Sequence, residues 1–188
     1  MTSIVGSDHG TEGAKLFIMS NNWGVIYVAS RREKKVKELL SREGIENFLP
    51  LIWVKRQWSD RLKQVEMPLF SGYLFVRPTD LNRDVILQTP GVIKFLKYNG
   101  ADAKVSDVTI SSLKLAIEKG HTFLNTQEVH VKVGNRVTVT AGPFSGVEGR
   151  VASYNNNNYV LIELEAIGKQ MCIKIEKSYL KNVKPKVG

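Results

Sequence analysis

Imidazole or thiol chemistry in this chain has to come from His9, His121, His130 or Cys172, the only three histidines and the only cysteine in 188 residues. No histidine stands beside a paired carboxylate at metal-ligand spacing, and no glycine loop of the phosphate-binding kind is present. Cys172 alternates with Lys174 and lies opposite Met171, Ile173 and Ile175, the place of a bystander in a strand rather than of an activated nucleophile. The expectation is therefore a binding protein and not an enzyme, with no metal and no cofactor. A single cysteine forms no internal disulfide, which fits a reducing compartment, and the longest early apolar run, Leu16 to Met19, is too short for a signal-peptide core or a membrane span. A cytoplasmic monomer without a membrane partner is the reading.

Binding chemistry is better represented. Lys55, Arg56, Arg61 and Lys63 flank Trp58, and this mixture suits single-stranded nucleic acid, because phosphates meet the cations while a base stacks on the ring. Arg31, Arg32, Lys34, Lys35 and Lys37 crowd a second segment, where Glu33, Glu38 and Glu43 interleave; a solvated charged face fits that segment as well as a nucleic-acid surface does. The net charge of +9 agrees with proximity to phosphate backbones. A third group is apolar: in Met67 to Arg77, MPLFSGYLFVR, Tyr73 and Phe75 share one strand face and Leu74 and Val76 the other. One face packs on helices, so the other needs a cover, supplied by another part of the chain or by a partner.

These residues must be positioned by two units. Residues 1–21 show no periodicity and read as a flexible arm; 22–120 form an α+β domain with an antiparallel sheet and helices; 121–129 serve as a linker; 130–184 form a small all-β SH3-like barrel of five strands. In the first unit Trp23 to Val28 is a strand apolar on both faces, Ser30 and Glu33 make a capping box for a helix closed by Gly44, and Phe48 to Val54 with Tyr73 to Val76 read as a long hairpin around the basic segment. A short helix at Asp80 to Leu87, a strand at Val92 to Tyr98, an Asn99-Gly100 turn and a helix capped by Ser106 or Asp107 complete it. In the second unit Val137 to Val151, VTVTAGPFSGVEGRV, reads as strand, glycine turn, strand.

Gly142, Pro143, Phe144, Gly146, Gly149 and Val151 resemble the KOW motif of the NusG family, a motif that also occurs in ribosomal proteins. Trp23, Tyr27, the helix from Arg31, the phrase Pro68-Leu69-Phe70 and the run Gly72 to Val76 are similar to the N-terminal domain of NusG and of its operon-specific relative RfaH. The resemblance runs from Trp23 to about Val183. It implies a NusG N-terminal domain followed by a KOW barrel, acting as a transcription elongation and antitermination factor. It implies that Tyr73 and Phe75 dock on the clamp helices of the largest RNA polymerase subunits, with Tyr27 and Phe95 beside them. Non-template DNA of the transcription bubble is implied near the basic helix, and the barrel surface at Phe144, Val147 and Ile167 is implied to receive a ribosomal small-subunit protein or Rho.

The phrase Pro68 to Val76 is RfaH-like and implies a specialised paralogue serving long operons such as those for surface (capsular) polysaccharide. At about Asn82, Arg83 and Asp84, however, the chain lacks the His-Thr-Thr pattern with which RfaH reads DNA, so no DNA target carries over. Gly24 stands where an aromatic commonly follows the tryptophan. Some RfaH-like proteins refold the barrel into a helical hairpin; the β-rich run Tyr159 to Ile175 argues for a barrel here. The alternative from another class is a ribosome- or RNA-associated KOW-domain protein that binds structured RNA by charge.

Overall fold

A computed structural model of the chain describes residues 22–58, 61–124, 132–154, 157–164 and 167–183. The expected arm and most of the expected linker lie outside them. The N-terminal unit runs β1 (Asn22–Val28), α1 (Glu33–Arg42), β2 (Asn47–Phe48), β3 (Leu51–Gln57), β4 (Leu62–Pro68), β5 (Tyr73–Val76), α2 (Arg83–Gln88), β6 (Val92–Phe95), β7 (Lys97–Tyr98), β8 (Ala101–Asp102), β9 (Lys104–Ser106) and α3 (Asp107–Glu118). Its antiparallel sheet has the order β2-β5-β1-β6, and β9 also pairs with the first residues of β1.

Both faces of β1 and β5 are covered, which is why these strands are apolar on both parities. Ile26, Val28, Leu74 and Val76 pack with Val36 and Leu40 of α1 and Ile86 of α2. Trp23, Val25 and Phe75 face the other way, toward Ile110, Leu113 and Ala116 of α3. Ser106 caps α3 by accepting the Thr109 amide, and Asn99 and Gly100 form their turn with φ of 50° and 82°.

Three local expectations are corrected. The long hairpin is β3 with β4, in register from Leu51–Pro68 to Gln57–Leu62 as a two-stranded sheet of its own, whereas Tyr73–Val76 returns to the centre of the main sheet between β1 and β2. Val92 to Tyr98 is split into β6 and β7, the latter forming a small hairpin with β8. Glu33 makes no capping box, since no side chain caps α1; its buried carboxylate instead accepts the Gly72 amide at 2.8 Å. A tertiary donor has displaced the local one.

The second unit comprises β10 (Phe123–Leu124), β11 (Lys132–Val139), β12 (Glu148–Tyr154), β13 (Asn157–Leu164), β14 (Lys169–Ile173) and β15 (Leu180–Asn182), in the sheet order β10-β14-β13-β12-β11-β15. Strands β11 to β15 are the five expected of the barrel. The sixth, β10, comes from the segment expected to be linker. In the turn between β11 and β12, Gly142 and Gly146 take φ of 81° and 84°, and at Gly149 an added Cβ would lie 2.6 Å from the Leu161 carbonyl oxygen. The interior of the barrel, with Val137, Val139, Phe144, Val160, Ile162, Met171 and Ile173, is continuous with the α3 face of the first unit. No helix among the described residues is long and apolar enough to cross a membrane.

Candidate functional site

The aromatic face of β5 meets the barrel at Tyr73. Its ring is half-buried, lies edge-on to Tyr27 at 5.5 Å between centroids, and carries the Lys169 ammonium of β14 at 5.2 Å from its centre. Desolvation first, and Tyr27 second, raises the Tyr73 hydroxyl above its ordinary value. Tyr27 remains 37% exposed, and Gly72 holds the two rings together: with φ of 81° it turns the chain where an added Cβ would lie 3.0 Å from the Tyr27 ring.

Phe75 and Phe95 do not join this surface. Phe75 is 0% exposed, stacked with Phe48 and met edge-on by Phe70, both at 6.2 Å, because α3 and the neighbouring strands seal that part of the face. Phe95 faces the opposite layer, where the Arg83 guanidinium covers it at 4.2 Å and pairs with Asp102. Of the four aromatics expected in one docking patch, the structure brings Tyr27 and Tyr73 to the surface. Asn82 is likewise occupied, its side-chain oxygen accepting the Thr79 amide at the head of α2.

The other side of the seam is the barrel. Phe144 and Ile167 are both buried in the core shared with the first unit, Phe144 beside Gly120 to Thr122 at the exit of α3, so neither is the open turn residue expected; Val147 is half-buried. These turn positions fold inward because burying their apolar surface is favoured over leaving it in water.

The basic hairpin projects separately. Lys55, Arg56, Arg61 and Lys63 are exposed, and Trp58 is 55% exposed with the Lys63 ammonium 5.9 Å from its ring centre. Trp53, at 68%, is a further exposed ring that the sequence reading passed over. Strand parity could have found it, since Ile52 and Val54 turn to the interior and Trp53 must then turn out. Arg31 and Arg32 just before α1 and Lys34 and Lys35 on it are exposed, but Lys34 bridges to Glu66 of the hairpin at 2.7 Å and Lys35 meets Glu38 at 3.6 Å. That face is partly neutralised by its own neighbours.

One polar cluster holds α3 against the sheet. The Trp23 indole donates to Asp107 at 2.9 Å, the Arg77 guanidinium donates to the same oxygen at 2.6 Å, and Arg77 also meets Glu46. The indole hydrogen bond and then Arg77 hold the Asp107 carboxyl below its usual value. Among the described residues no group of His, Cys, Asp and Glu forms a metal-binding cluster. Cys172 is buried, and desolvation pushes its thiol up to about 11, away from the reactive range.

The family model described as transcription termination factor NusG matches residues 21–114. The transcription termination/antitermination protein NusG of Streptococcus pyogenes is 29% identical over 165 residues, covering 82% of this chain and 92% of its own; that of Lactococcus lactis is 24% identical over 183 residues, covering 92% and 98%. A solved structure of Thermotoga maritima NusG shares the fold with a TM-score of 0.54 at 20% identity, over 87% of this chain and 97% of that one. With half of its residues matched by the family model, the chain belongs to the NusG family.

Proposed function

We propose that this NusG-family transcription factor binds RNA polymerase through the Tyr27–Tyr73 pair and acts as an elongation and antitermination factor. The observation that carries the reading is the pair itself: two aromatic rings edge-on to each other, one more than a third exposed, the other half-buried with the Lys169 ammonium of the barrel over its face. Aromatic anchors of this kind dominate protein interfaces. Phe75 contributes from beneath, by fixing the strand that presents Tyr73. A rigid body that prefers the elongating polymerase shifts its population by its differential affinity alone, and a tenfold bias needs about 1.4 kcal/mol.

The hairpin supplies a second contact, with single-stranded DNA of the transcription bubble, through Trp58 and Trp53 among cations. The barrel carries the surface for a ribosomal small-subunit protein or Rho around Val147. The RfaH-like phrase Pro68 to Val76 favours a specialised paralogue that acts on particular long operons, surface polysaccharide operons among them. The hairpin also supports a second reading, a KOW-domain protein bound to structured RNA.

Binding to purified RNA polymerase separates the two. Tyr73→Ala and Tyr27→Ala are expected to weaken polymerase binding at least tenfold while leaving RNA affinity unchanged. Normal polymerase binding by both variants, together with loss of RNA binding on substituting Lys55 and Arg56, establishes the second reading instead.

A further inference from the structure

The exit of α3 is a latch on the barrel. Gly120 ends the helix with φ of 69°, the His121 amide reaches back to the Ala116 carbonyl, and the chain then runs extended along β14. Phe123 pairs with Ile173, Leu124 with Cys172, and the Lys174 amide donates to the Thr122 carbonyl at 2.9 Å. Without this segment β14 is an open edge, a row of amides and carbonyls ready to take any extended chain. The two side chains go to opposite faces: Phe123 is buried in the core beneath, while Leu124 packs on a separate cluster of Ala152, Tyr159, Leu161 and Cys172. Strand parity sets that cluster on the sheet face opposite Val151, Val160 and Ile173.

We propose that the β14 edge and this cluster form a strand-addition site, held by the chain's own Thr122–Leu124 in the closed molecule and taken in the open one by an extended segment of a partner protein with the same aromatic–aliphatic order. Main-chain pairing supplies affinity and the two alternate pockets supply specificity. The occupant is read from the template already seated there, and Lys169 at the start of β14 with Lys174 just beyond its end favour a segment flanked by carboxylates. β10 follows the end of α3 by only a few residues, so its replacement also detaches the barrel from α3 and withdraws Lys169 from Tyr73. Partner binding and exposure of Tyr73 are thereby coupled, and the coupling is reciprocal. The strand site itself does not depend on polymerase.

The test therefore uses no polymerase. A peptide with the sequence of residues 119–125, extended by glutamates, is titrated into the full chain and into Leu124→Asp, and binding is followed by the amide resonances of Cys172, Ile173 and Lys174. The intact chain's own strand competes, so the peptide is expected to bind Leu124→Asp at least tenfold more tightly, and Cys172 in that variant is expected to react with a thiol reagent at least tenfold faster until peptide is added. The milder Leu124→Ala shows the same order with smaller changes, and unshifted resonances of β11 and β15 show that the barrel remains folded. Equal affinity in variant and intact chain, no shift at residues 172–174, or protection of Cys172 that appears only as the chain dimerises by exchanging its own strands overturns the proposal.

Discussion

Glu33 sits almost wholly out of water, and its carboxylate accepts the amide of Gly72, 39 residues later, at the turn that presents Tyr73. Removing the acceptor leaves a buried amide unpaired, so Glu33→Ala is expected to cost about 1–3 kcal/mol in urea unfolding, while Glu33→Gln keeps an acceptor and loses less. An unmoved midpoint in the alanine variant is incompatible with that role. Asp107 gives a pH dependence. Its carboxyl is held below the ordinary 3.8, mainly by the Trp23 indole and then by Arg77. A folded value below the unfolded one contributes stability that is complete above about pH 5 and is lost as pH falls through the folded value. The stability gap between the natural chain and Asp107→Asn should stay constant from pH 5 to 8 and close below pH 4. A gap that persists unchanged at pH 3 rejects this assignment.

The elements differ in how openly the sequence announced them. Helix α3, the Asn99-Gly100 turn and the barrel strands β11 to β14 were legible because each is fixed by local chemistry: an N-cap, two positive φ angles, alternation between turn residues; the last strand, β15, was not placed. The pairing of β3 was not, since an apolar run carries no mark of which later run it meets, and Pro68 lay inside the partner strand rather than after it. Inward Phe144 was equally hidden, because a turn has no period from which to read side-chain direction. Gly149 shows how tightly the barrel is then drawn. Gly149→Ala places a Cβ 2.6 Å from a backbone oxygen and 2.6 Å from Val160 Cγ1, and is expected to destabilise the barrel by about 1–3 kcal/mol or more. All three tryptophans lie before residue 59 and the one cysteine lies in β14, so fluorescence reports the first unit and Cys172 reactivity the second. Early exposure of Cys172 with an unmoved fluorescence transition is the expected result; coincident shifts argue against it. For the hairpin, Trp53→Ala and Trp58→Ala should change stability by less than about 0.5 kcal/mol. Each should lower affinity for single-stranded DNA about tenfold, as base stacking predicts. Unchanged binding in a titration followed by anisotropy removes the hairpin from the nucleic-acid surface.

At the scale of the whole molecule, the aromatic face and the barrel turn, expected as two independent docking surfaces, meet each other. The seam runs from Tyr73 under Lys169 to Ile167 in the shared core and on to the β10–β14 ladder. Sequence showed that the Tyr73 face needed a cover but not what supplies it, because both the chain and a partner satisfy the same demand for apolar burial. A cover made by the chain competes with any partner for that face, and the apparent affinity of the partner falls by the fraction of molecules that are open. Ile167 is the residue with which to shift that fraction, because it is buried in the core that the two units share and sits in a turn between β13 and β14, outside both strands. Ile167→Asp places an unpaired charge in the closed core but leaves it in water once the units part, so it penalises closure far more than barrel folding. The full-length variant is expected to bind RNA polymerase several-fold more tightly than the natural chain, with the radius of gyration in solution larger and the barrel's unfolding transition little changed. Equal polymerase affinity alongside a demonstrably larger radius would separate the seam from the docking surface and leave the Tyr27–Tyr73 pair without its competitor.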